Sequence, residues 1–71
     1  MGQHQRVEQR ARDGARALGC ERAAVACAAS RARYYHWRGI GRHRAVDWGI
    51  RDGLAQQRKR DLEVALAGEV A

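Results

Sequence analysis

Apolar positions recur at helical spacing along most of the chain and nowhere alternate with polar ones as a half-buried strand requires. Val7, Ala11, Ala15 and Leu18 share one side of a helix predicted over residues 4–18, with Arg6, Arg10, Arg12, Asp13 and Arg16 on its other faces. Gly19 follows the last apolar position, where a left-handed cap often ends a helix. Residues 21–28 predict a short second helix. Glu21 sits in its first turn, and Ala24, Val25 and Cys27 or Ala28 form a small-residue face that admits a close neighbour. Ser30 reads as the N-cap of a third helix over 31–38, and Gly39 and Gly41 close it and bracket Ile40, free to pack back on the core.

Residues 45–67 predict one long helix, or two broken at Gly49 or Gly53, because each glycine costs a helix interior about 1 kcal/mol relative to alanine. Val46, Ile50, Leu54, Val64 and Ala65 line one side; Trp48, Ala55, Leu62 and Leu66 line another. Two stripes imply one face for the chain's own core and one for a second chain, or else a single broad buried face. Gly68 reads as the stop. The expected fold is all-α: one compact domain of four to five helices over residues 1–71.

Composition sharpens this picture. Proline and phenylalanine are absent from the 71 residues, and the apolar content is largely alanine, which favours helix but buries little surface. Tyr34, Tyr35, Trp37 and Trp48 are therefore expected to supply much of the core. A core this thin implies support from self-association or a partner.

The net charge of +6 is concentrated. Residues 22–46 carry Arg22, Arg31, Arg33, Arg38, Arg42 and Arg44 and no acid, while the flanking segments nearly balance. Such clustering is the footprint of a polyanionic partner, although a GC-rich genome would also favour arginine over lysine.

Within that basic third, residues 20–38 read CERAAVACAASRARYYHWR. The segment resembles the helix-turn-helix of insertion-sequence transposases and related small DNA-binding regulators, best over Ser30-Arg31-x-x-Tyr34-Tyr35-x-Trp37-Arg38. It departs from that pattern at Ala28, a turn position usually held by glycine. The resemblance implies a structural set of Ala24, Cys27, Tyr34 and Trp37, with Ala29 in the turn. It also implies double-stranded DNA as partner, but not transposition, since the chain is too short for a catalytic carboxylate domain. Ser30, Arg31, Arg33, Tyr35 and His36 would then face base edges and phosphates, and Arg38, Arg42, His43 and Arg44 the flanking backbone. A small transcriptional regulator or recombination accessory factor follows, acting as a homodimer with Leu62 and Leu66 at the interface. Two alternatives remain open: a protein-binding module or inhibitor from a phage or mobile element, and an arginine-rich RNA-binding protein.

Other chemistry finds little support. Cys20, Cys27, His36 and His43 are separated by six, eight and six residues, not the tight pairs of a structural zinc site. No metal and no cofactor is expected. The two cysteines lie too far apart along a helix for an intrachain disulfide. Cys27 and His36 lack an orienting third group, so no enzyme is expected. With no apolar leader region and no membrane-length stretch, the sequence reads as cytoplasmic or nucleoid-associated, with no membrane partner.

Overall fold

The computed structural model describes residues 2–70, which form three helices: α1 (Gln3–Ala17), α2 (Arg22–Trp37) and α3 (Arg42–Val70). The all-α expectation holds, but the count of four to five helices does not. The difference arises at two places where local signals gave way.

The first is α2, which runs unbroken through the expected turn at residues 27–30. No glycine or proline interrupts it, and alanine at 28 and 29 propagates a helix better than it turns one. Ser30 is consequently an exposed residue in mid-helix and caps nothing. A helix-turn-helix over residues 20–38 is thereby excluded.

The second is α3, which continues through Gly49 and Gly53. Both glycines are buried against α2. A β-carbon on Gly49 would lie 2.5 Å from the Ala28 carbonyl oxygen and 2.8 Å from both the amide nitrogen and the β-carbon of Ala32. One on Gly53 would lie 2.6 Å from the Ala24 carbonyl oxygen and 3.1 Å from the Ala28 β-carbon. The glycines let two backbones meet, and that contact offsets their low helix propensity.

The core is correspondingly small in its side chains. Val7, Ala11 and Ala15 of α1, Val25, Ala28 and Ala32 of α2, and Ala45 and Val46 of α3 form its buried cluster. Cys20, Tyr35, Ile40 and Ile50 pack against its edge. The expected aromatic core is not there: Trp37 is 69% exposed, Tyr34 45% and Trp48 37%. Alanine and glycine bring the helices so close that no bulky ring fits between them. Leu18, assigned to the α1 core stripe, is likewise exposed.

Both connections use the same device. Gly19 and Gly39 take φ of +78° and +94°, where a β-carbon would be strained. After each, the next amide reaches back five residues: Cys20 to Ala15 at 3.1 Å, and Ile40 to Tyr35 at 3.1 Å. These are Schellman-type closures in which the residue after the glycine returns to the core, as expected for Ile40. His4 lies beside His36, and Glu21 reaches Gln57, so the helices run up, down and up.

At about 1.5 Å per residue, α3 is near 43 Å long, almost twice the length of either partner. It accounts for the 48 × 20 × 15 Å extents of the molecule. Its described residues from 58 to 69 are all exposed. None of the helices is long and apolar enough to cross a membrane among the described residues.

The same substitution at two glycines of α3 should therefore act in opposite directions. Gly49→Ala forces backbone atoms apart and should lower the thermal midpoint, despite a propensity gain of up to about 1 kcal/mol. Gly68→Ala, where a β-carbon meets nothing within 4 Å, should leave the midpoint unchanged or raise it. Thermal melts of the two variants followed by circular dichroism measure both.

Candidate nucleic-acid interface

The antiparallel arrangement brings the start of α1, the end of α2 and the start of α3 to one end of the bundle. All three histidines of the chain belong to these segments: His4, His36 and His43. Arg33 of α2, Arg38 at its C-cap, and Arg42 and Arg44 of α3 join them there. Sequence spacing gave no indication that His4 would meet a residue 32 positions away.

Four of the residues expected to face DNA are engaged within the molecule. Arg31 turns towards α3, its Nε 3.8 Å from Asp52 Oδ2. Arg33 turns the other way, its Nη1 3.4 Å from Glu8 Oε1 on α1. Their spacing of two along a helix sends them about 200° apart, so one cannot join the other on a single reading face. The Tyr35 hydroxyl donates to Asp52 Oδ2 at 2.5 Å, and its ring meets Trp48 edge-on at 5.4 Å. His36 Nδ1 lies 3.0 Å from His4 Nδ1. The two rings meet edge-on, their centroids 4.9 Å apart. Glu8 and Asp52, the acids that absorb two of the arginines, sit outside the basic third and carry no local sequence signal for this role.

What remains free is a narrower set. Among the described residues, Arg38, Arg42 and Arg44 form no ion pair. Arg38 caps α2 and holds its guanidinium carbon 6.0 Å from the centre of the Tyr34 ring, at the outer edge of a cation–π contact. Arg42, His43 and Arg44 occupy the exposed first turn of α3, where the unpaired amides of the helix start already favour an anion. Asp47 lines the same groove as these three residues. Trp37 and Tyr34, assigned to the core by the helix-turn-helix register, instead line a shallow outer groove with Ser30 and Arg33. Ala24 is buried as expected, while Cys27 is only half-buried, at the rim of a different groove shared with Arg31, Tyr35 and Asp52.

Among the described residues no group of three or more histidine, cysteine or acidic side chains is placed to hold a metal ion. No protein family, curated protein or solved structure matches the chain.

The Tyr35–Asp52 hydrogen bond ties α2 to α3 just above the glycine contact. It raises the Tyr35 ionisation above the ordinary 10.0, chiefly because the neutral phenol donates to the carboxylate, with burial and the Asp52 charge acting in the same direction. A raised value means that the folded form holds its proton more tightly than the unfolded chain. The bond's contribution is thus complete below about pH 10 and declines as pH climbs through the raised folded value. Tyr35→Phe should cost about 1 kcal/mol near neutrality, since Asp52 keeps Arg31 and solvent as partners. The gap between wild type and variant should close as pH rises beyond 10, which denaturant titrations at pH 8 and pH 11 would measure.

Proposed function

We propose that this protein binds nucleic acid through the basic end of its three-helix bundle, with duplex DNA as the first candidate. The observation that carries the reading is the pairing of unneutralised arginines with exposed aromatics at one end. Arg38, Arg42 and Arg44 flank the α2–α3 turn, and Trp37 and Tyr34 stand clear of the core beside them.

The mode differs from the one its sequence resemblance implied. Arg31 and Arg33 are held by acids on opposite neighbours, so a helix laid in the major groove with both reading bases has little support. Contact with phosphates fits better: arginine forks suit phosphate oxygens, and positive side chains in the first turn of α3 are unfavourable there until an anion arrives. Binding of this kind is strongly salt-dependent and weakly selective for sequence. A role as a small regulator or recombination accessory factor is compatible with it. An acidic protein surface is the competing partner for the same arginines, and salt-sensitive binding to nucleic acid distinguishes the two.

Replacing Arg38, Arg42 and Arg44 together by glutamine should remove up to three phosphate contacts. The slope of log affinity against log salt should then become shallower by about 2.7 for duplex DNA, at about 0.9 per phosphate. Fluorescence anisotropy with a labelled duplex between 50 and 200 mM salt gives the slope (working concentrations set by the screening range). An unchanged slope with unchanged helicity would remove this end of the bundle from consideration. Trp37→Ala should leave the cooperative melt nearly intact, because the ring is mostly exposed, and should weaken binding. Loss of folding instead would show that the ring supports the bundle.

A further inference from the structure

The far half of α3 carries a face that the bundle does not use, and the geometry points to a second copy of this chain as its occupant, docked antiparallel. Among the described residues, the last α3 side chains to bond the rest of the bundle are Gln57, which accepts from the Glu21 amide at 2.7 Å, and Arg60, 3.8 Å from the Glu21 carboxylate. Beyond them the helix continues to Val70. Leu62 is 61% and Leu66 51% exposed. Leu62 stands nine residues from Gly53, half a turn round the helix, so its face looks away from α2 and the bundle does not obstruct it.

Charge selects the occupant and its direction. Lys59, Leu62, Leu66 and Glu69 follow one another at intervals of three, four and three, the spacing of a coiled-coil seam. A two-fold axis at position 64 sets Leu62 against the second copy's Leu66 and Lys59 against its Glu69, each twice. Two leucine layers are then closed at both ends by opposite charges. Parallel pairing in register would instead set lysine on lysine and glutamate on glutamate. The overlap, from 58 to 70 about the axis, is about 20 Å long, below the extent of a standard stable interface, so the pair should form with rising concentration. Such a pair would not set two bundles on successive major grooves of one duplex. The α3 starts would stand about 66 Å apart, at 22 residues to the axis from each side, against the 34–36 Å of one helical turn of DNA. The pairing itself does not depend on the nucleic-acid reading.

Sedimentation equilibrium of the whole chain from about 10 μM to 1 mM tests the proposal, in the range where a weak pair forms. The mass should rise from monomer towards dimer. Lys59→Glu and Glu69→Lys should each move the transition to concentrations about tenfold higher, because two attractions become two repulsions. The double variant should bring it back. Circular dichroism confirms that each variant keeps its bundle; among the described residues neither Lys59 nor Glu69 makes a side-chain hydrogen bond or ion pair within it. A monomer throughout, a dimer that ignores the single reversals, or a double variant no better than the singles would each overturn the proposal.

Discussion

Everything else in this molecule depends on the backbone contact between α2 and α3. Gly49 and Gly53 press on the chain at Ala24, Ala28 and Ala32, with no room for a β-carbon at either glycine. This contact lets a chain with few large aliphatics fold at all. Dispersion between closely set backbones and methyl groups takes over part of the role that branched side chains play elsewhere. It also dictates where the aromatics go. A ring between helices this close would force them apart, so Tyr34 and Trp37 stand outside and only Tyr35 packs at the margin.

Charge placement follows from the same geometry. With the helices in contact, side chains on the flanks of α2 are near enough to reach either neighbour. Arg31 therefore finds Asp52 on one side and Arg33 finds Glu8 on the other. These ion pairs are exposed on the arginine side and contribute little stability individually. Their larger effect is to separate Arg31 and Arg33, which brace the bundle, from Arg38, Arg42 and Arg44 round the α2–α3 turn, which remain available; Arg22, at the start of α2, belongs to neither group. A charge map read from sequence merges the two groups, and only the fold separates them.

The legible parts of the fold were those set by local chemistry. The limits of α1, the turns at Gly19 and Gly39 and the return of Ile40 all follow from periodicity and from a backbone conformation that glycine adopts easily. The misread parts were decided at long range. Ser30 has the same composition as a cap or as a surface residue in mid-helix, and only the lack of a breaker around Ala28 distinguishes the two. Gly49 and Gly53 read locally as interruptions. Their spacing of four, matched by the spacing of Ala24, Ala28 and Ala32, is the small-residue pattern of two helices in close contact. The core assignment of Tyr34 and Trp37 followed from the scarcity of large aliphatics and from the resemblance, whereas the alanine stripe beside them decides the packing. The partners that engage Arg31, Arg33 and His36 lie 21, 25 and 32 residues away, and nothing in the local pattern announces them.

A helix half inside a bundle and half outside it has two sources of stability. Up to Arg60, α3 is held by the glycine contact, the Tyr35–Asp52 bond and the Glu21 contacts. Past that point it relies on intrinsic propensity and on whatever docks against Leu62 and Leu66. A segment of about ten residues is too short to hold helix well in water by itself, but it need not nucleate, because the bundle supplies the first turns. Opening should therefore progress inward from the far end, with amide protection falling off beyond Arg60 while the glycine-packed turns stay closed. A docking partner would extend that protection outward along the leucine face. The bundle thus acts as the nucleus of a longer rod, and the same close approach of α2 and α3 that builds the core also presents the outer helix.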